Sequence, residues 1–193
     1  MISFLVGNAA LMPTLLEMSN YRRAKTGGNI YFFTVVTYRR RLLFHDETCR
    51  LFLRNAIIKT QRNYPFTINA WVLLPDHLHC VWTLPQNDND FSTRWNLIKS
   101  GFSKSAKTLY NNAQWMTTSK QKHRETTLWQ RRFWEHQIRD ESDYNNHIDY
   151  IRYNPVKHGW VTNVKDWPYS TFHRYVRQGV YPQNWEIPIS RLV

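Results

Sequence analysis

Apolar and aromatic residues gather in short runs of β type, separated by two longer stretches of helical period. After Gly27-Gly28, Asn29 to Arg39 is dense in β-branched and aromatic residues and predicts a first strand. Asp46 is placed to cap a helix reaching about Asn63, with Leu51, Leu53, Ile57 and Ile58 as its apolar stripe and Pro65 as its stop. Phe66 to Leu74 and His77 to Leu84 read as two strands joined through Pro75-Asp76, a link short enough for an antiparallel hairpin. Phe91 to Tyr110 predicts a helix, Asn111 to Thr126 a polar loop and Leu128 to Ile138 a fourth strand. Asp140 to Tyr153 predicts a last major helix ended by Asn154-Pro155. The expected fold is α+β: a ferredoxin-like antiparallel sheet with helices on one face, plus a C-terminal helix and tail.

At 193 residues the chain fits one main domain. Residues 1–17 are mildly apolar and broken at Pro13, so they predict a dispensable extension rather than an export signal or a membrane span. The expected division is 1–17, then 18–160 as the catalytic unit, then 161–193 as a C-terminal helix and tail open to DNA recognition. Cys49 and Cys80 offer neither a disulfide framework nor zinc-finger spacing, and a reducing cytoplasmic setting is expected.

Charge narrows the partner. Lysine and arginine number 26 against 14 acids, a formal net charge of +12, which suits a polyanion. Aromatic residues make up 16% of the chain, and their flat faces suit unpaired bases. Between Phe91 and Trp134 nine basic residues stand against one acid, Glu125. The candidate DNA-binding residues are Arg22, Arg23, Lys99, Lys104, Arg131, Arg132, His173 and Arg174.

The candidate chemistry lies at two places. Strand alternation puts His77 and His79 on one face, while Leu78, Cys80, Trp82 and Leu84 take the other, apolar one. Two imidazoles on one rigid face are positioned to hold a single ion. In the last helix Tyr144, Ile148 and Ile151 form the core stripe, with Tyr150 away from it and Asn154 one turn beyond Tyr150. An amide oxygen beside two imidazoles makes a mixed set that leaves positions for water and phosphate. The phenol would be the nucleophile. Tyr153 is an alternative nucleophile, though it lacks the four-residue step to Asn154. His147 shares the Tyr150 side, and Glu135 and His136 end the fourth strand where they could approach the site.

His77-Leu78-His79 with Tyr150-Ile151-Arg152-Tyr153-Asn154-Pro155-Val156-Lys157-His158-Gly159 resembles the single-tyrosine HUH transposases. Asn69 to Pro75, Arg132 to His136 and Asp166 to His173 further resemble the branch associated with bacterial repetitive extragenic palindromes (REPs), the REP-associated tyrosine transposases. The resemblance runs from about Met18 to Trp185. It implies Tyr150 as nucleophile, His77, His79 and Asn154 as metal ligands, and Mg2+ or Mn2+ as the metal. It also implies a 5′-phosphotyrosine with a free 3′-hydroxyl. The implied substrate is single-stranded DNA with a hairpin and an adjacent tetranucleotide; no membrane is expected, and the protein would act as a monomer or homodimer. A hairpin-binding protein that does not cut, and an RNA-binding regulator, remain as other classes.

Overall fold

A computed structural model describes residues 28–185. Strands β1 (Ile30–Val36), β2 (Thr67–Leu73), β3 (His77–Thr83) and β4 (Trp134–Gln137) form one sheet in the order β2-β3-β1-β4, every neighbouring pair antiparallel. Helices α1 (Glu47–Asn63) and α2 (Phe91–Tyr110) cover one face, and the later helix α4 (Glu141–Lys157) covers the other. A short α3 (Thr118–Lys122) interrupts the connection to β4, and α5 (Phe172–Arg177) lies in the C-terminal segment. This is the expected ferredoxin-like order with a helix added on the second face.

Asp46 caps α1, its carboxylate accepting from the amides of Thr48 at 2.7 Å and Cys49 at 3.3 Å. The buried stripe of α1 is Cys49, Leu53, Ala56, Ile57 and Thr60. Leu51 and Ile58 are exposed instead, because Leu51 lies about 200° from Leu53 around the helix. Across the way, α2 buries Phe91, Trp95, Ile98, Phe102 and Ala106. Between them, Tyr31, Phe33 and Val35 of β1 and Leu78, Cys80 and Trp82 of β3 complete the larger core, with Trp82 stacked on Trp95 at 4.3 Å. The second core is smaller: Phe32, Ala70, Val72, Leu74 and Val81 of the sheet against Ile138, Ile148 and Ile151.

Two element boundaries depart from the sequence pattern. The fourth strand is confined to Trp134–Gln137, although Tyr38 donates to the Leu128 carbonyl and Gln130 to that of Val36, so the chain tracks β1 before it. Leu128 and Trp129 are consecutive yet both buried in the larger core, which strand alternation forbids. Helix α4 runs through Pro155 to Lys157, because a proline in the final turn removes one N–H without breaking the cap. What ends it is Gly159 at φ +69°: the Trp160 amide donates to the Pro155 carbonyl and that of Gly159 to Val156, both at 2.9 Å.

The C-terminal segment folds back onto the sheet. Trp167 donates its indole N–H to the Leu73 carbonyl at 3.0 Å, and Thr171 bonds Trp71 along the open edge of β2. Where β2 bulges at Asn69, that residue's carbonyl accepts from Arg174 and Tyr175. Arg152 of α4 lies over the Tyr181 ring at 3.7 Å, so this segment also closes the outer side of α4. No helix among the described residues is long and apolar enough to cross a membrane.

Gly159→Ala should destabilise the protein by about 1 kcal/mol through left-handed backbone strain alone, since a Cβ there meets nothing within 4 Å. Urea denaturation of the variant beside the parent measures it; an unchanged midpoint would mean that this cap does not hold α4.

Candidate active site

Alternation along β3 sends His77 and His79 to the α4 side of the sheet. His79 stands opposite Thr34 and His77 opposite Val36 in the β1 register. Both imidazoles are buried and their rings lie 4.9 Å apart. The Nδ1 atom of each is already engaged: His79 with the Thr34 hydroxyl at 2.8 Å, His77 with the Asp76 carboxylate at 2.5 Å. With the ring proton on Nδ1, each keeps Nε2 as the nitrogen with a lone pair to offer.

Helix α4 covers that side of the sheet with Tyr150 and Asn154. Tyr150 packs edge-on to His79 at 5.1 Å and to Phe32 at 6.0 Å, one helical turn before Asn154. The phenol therefore faces the sheet beside the apolar stripe, rather than away from it as the sequence pattern suggested. Two stripes fit on this side because the helix crosses a surface half apolar and half imidazole. Asn154 is completely buried, and neither of its amide atoms has a hydrogen-bond partner; the Nε2 of His79 is likewise buried and unpartnered. Such atoms cost on the order of 1–3 kcal/mol each unless something binds them. Two imidazole nitrogens and an amide oxygen thus fit a divalent ion with remaining positions for water or phosphate.

Three groups completing this site were not singled out from the sequence. Asp76 links His77 to Arg40, whose guanidinium reaches the other carboxylate oxygen at 2.9 Å. Burial pushes the Asp76 carboxyl up, but His77 and Arg40 outweigh it and hold it below its ordinary value. Arg39 and Arg40 both sit in the left-handed region, at φ 56° and 51°, a strained exit from β1 beside the site. His158, which caps α4, packs against His77 at 5.3 Å. The only sequence signal was an acid next to the first histidine, and two arginines just past a strand.

Electrostatics keep His79 and His158 neutral and work against the phenolate. Burial, and then the neighbouring charges of His77 and His158, push the His79 pKa well below 6.5. Burial also lowers that of His158. For Tyr150, burial outweighs the nearby Asn154 amide and the Arg40 charge and holds the phenol above its ordinary value of 10.0. Lys157 adds its ammonium 5.0 Å above the Tyr150 ring. Tyr153 has no place in this arrangement of contacts. Glu135 pairs with Phe33 and faces α1 and α2, so of Glu135 and His136 the histidine shares the site's side, as Trp134 does. Cys80 also faces α1 and α2, as alternation requires.

The family described as "Transposase IS200 like" matches residues 26–154. The chain is 49% identical over 168 residues to a REP-associated tyrosine transposase of Escherichia coli (strain K12), covering 87% of this chain and 91% of that one. The chain belongs to the REP-associated tyrosine transposases. A relative from Haemophilus influenzae is 46% identical, covering 87% of this chain and 93% of its own. A solved structure of a REP-associated tyrosine transposase bound to a REP hairpin superposes with a TM-score of 0.74 at 49% identity, covering 89% of this chain and 93% of that one.

For this REP-associated tyrosine transposase, the expected DNA-contacting residues divide sharply. Arg22 and Arg23 lie outside the described residues, as does the 1–17 extension. Lys99 gives its ammonium to the carbonyls of Gln130 and Arg131, and both it and exposed Lys104 sit on α2, behind the sheet from the site. Arg131 pairs with Glu125, and Arg132 is exposed beside it. His173 bonds the Trp167 carbonyl and Arg174 the carbonyls of Ile68 and Asn69. The basic segment is thus not one binding face: Arg94 and Lys120 are buried against Asp88 and Glu125.

His79 and His158 are held neutral when folded but take up protons near pH 6.5 when unfolded. Their stabilising contribution is therefore complete above pH 6.5 and is lost as pH falls towards their depressed folded values. In excess chelator, stability should drop between pH 7 and 5, and His79→Asn should flatten that slope. A variant slope as steep as the parent's, read by urea denaturation at each pH, would refute the assignment.

Proposed function

We propose that this transposase is a metal-dependent single-stranded DNA endonuclease and strand transferase that cuts beside hairpin-forming repetitive extragenic palindromes through a 5′-phosphotyrosine. The observation that carries the reading is the convergence of Tyr150 on two buried imidazoles and a buried amide with unpartnered polar atoms. His77, His79 and Asn154 would hold the metal, Mg2+ or Mn2+, and the ion would draw charge from a nonbridging phosphate oxygen.

The chain's own groups supply the rest. Asp76 and Thr34 fix the two rings so that each offers Nε2. Arg40 partly offsets the burial that raises the phenol pKa and Lys157 adds its charge above the ring, with the remaining pull towards the phenolate left to a bound metal. The Tyr150 oxygen bonds to phosphorus as the bond to the 3′ oxygen breaks; the phenol loses its proton and the departing 3′ oxygen gains one. Helix α4, clamped between the sheet and the aromatic tail, aligns that attack. Rejoining is the reverse, with a DNA 3′-hydroxyl attacking the phosphotyrosine, and needs no external energy source.

The relative's REP hairpin supports a single-stranded DNA substrate carrying a hairpin. In this reading residues 18–160 form the nuclease unit, 161–193 contribute to recognition, and 1–17 are dispensable. Exposed Lys104 and Arg132, with Arg22 and Arg23, are the cations offered to phosphate, the protein acting as a monomer or homodimer.

Tyr150→Phe should leave hairpin binding intact and reduce the covalent adduct with labelled hairpin DNA at least about 1000-fold, because only the attacking oxygen is removed. Binding with no adduct in the parent protein would instead indicate a hairpin-binding protein that does not cut. His77→Ala, His79→Ala and Asn154→Ala should each weaken metal binding by about tenfold to hundredfold in calorimetry, with cleavage stopped by chelation and restored by Mn2+. Cleavage undiminished in excess chelator would exclude a metal role.

A further inference from the structure

A second cluster of metal-binding groups lies across Phe32 from the candidate active site. Asp143 and His147 occupy positions four apart on α4 and share one side of it. His136 reaches them from β4, where it pairs with Phe32 and so points to the α4 side of the sheet. The His136 Nε2 lies 2.7 Å from one carboxylate oxygen of Asp143, and the His147 Nδ1 lies 3.1 Å from the other. The two imidazole rings stack 4.7 Å apart with planes 16° from parallel. Among the described residues, this is the one group of three or more His, Cys, Asp or Glu side chains whose ligand atoms all fall within 4.8 Å of one another.

We propose that His136, Asp143 and His147 form a second metal site, selective for an imidazole-preferring ion of the zinc class, that ties β4 to α4. A helical i, i+4 pair completed by one histidine from a neighbouring strand is a three-ligand geometry, and two imidazole nitrogens with one carboxylate is a set that zinc and cobalt take readily. The side chains of His136 and His147 are 25% and 18% exposed, which leaves room for water as a fourth ligand. The ion takes the place of the proton on the His136 Nε2, which passes to solvent, and separates ring and carboxylate by a few tenths of an ångström. The His147 Nδ1, which donates its proton to the Asp143 carbonyl at 2.8 Å, gives up that bond as the ring changes tautomer, the proton moving through solvent to Nε2 so that the Nδ1 lone pair meets the ion. Arg139, which also touches the Asp143 carboxylate at 3.3 Å, is 75% exposed and free to turn outward.

The site is separate from the first but mechanically joined to it. Phe32 touches His147 at 4.6 Å, His79 at 5.6 Å and Tyr150 at 6.0 Å. His147 precedes Tyr150 by one turn of the same helix. An ion here fixes the height of α4 above the sheet and, with it, the reach of the phenol.

The test uses full-length protein carrying His77→Ala and His79→Ala, so that the β3 imidazoles do not contribute. Cobalt titration followed by visible absorption should show one ion per chain, and zinc should displace it and raise the melting temperature. Adding His136→Gln and His147→Asn places amide donors near the former Nε2 and Nδ1 positions but removes the ring lone pairs. It should weaken binding at least about tenfold and abolish the zinc-induced shift. His136→Gln alone gives the same reading should the combined variant unfold. No cobalt spectrum in the starting variant, or equal affinity after the amide substitutions, would overturn the proposal and leave a hydrogen-bonded strut.

Discussion

β3 runs through the interior of the sheet with helices on both sides, and the two-residue period of a strand decides what each side receives. Leu78, Cys80 and Trp82 enter the larger core, which anchors the strand; His77 and His79 are thereby held on the other side with little freedom. A slip of one residue against β1 would exchange the two sets, putting imidazoles into the aromatic core and Trp82 under α4. Pairing with Thr34 and Val36 on an aromatic-rich β1 prevents it. The positions of Tyr150 and Asn154 depend on the same register, because α4 packs on whatever the second side presents.

That side is a compromise between stability and chemistry. Its apolar half, from Phe32 to Val72 and Val81, grips Ile148 and Ile151, while its polar half leaves an amide and an imidazole nitrogen buried without partners. The destabilisation is offset elsewhere, by the larger core and by the tail that closes over Arg152. Left-handed Arg39 and Arg40 concentrate further strain at the same end of the sheet, where Arg40 meets Asp76. An unpartnered amide, an unpartnered imidazole nitrogen and two left-handed arginines thus meet around one phenol.

Positive charge proved less uniform than its density along the chain suggested. Arg94, Lys99, Lys120 and Arg174 are bound to carboxylates or carbonyls and act as struts between elements. The tail shows the same economy: Trp167 and Phe172 pack inward, and the edge of β2 is sealed by hydrogen bonds from Tyr169 to Thr171. A transposase of this size uses its basic and aromatic residues first to complete the fold, which leaves a smaller exposed set for nucleic acid.

Much of this was legible in the residues. Periodicity set α1 and α2 nearly to their ends, alternation placed the two histidines together, and the four-residue step joined Tyr150 to Asn154, because these relations are local and repeat with the backbone. Where the local pattern was incomplete it misled: Pro155 suggested an end to α4 that Gly159 supplies, and Leu128 to Ile138 suggested a strand that tertiary burial cuts to four residues. Asp76 as the partner of His77, Arg40 as its outer charge, and the meeting of His136 with Asp143 and His147 lay beyond sequence spacing. The chain alone determined which side chains share a face; only packing of α4 and β4 against the sheet decided which faces meet, because contacts between distant segments depend on the register and crossing of whole elements.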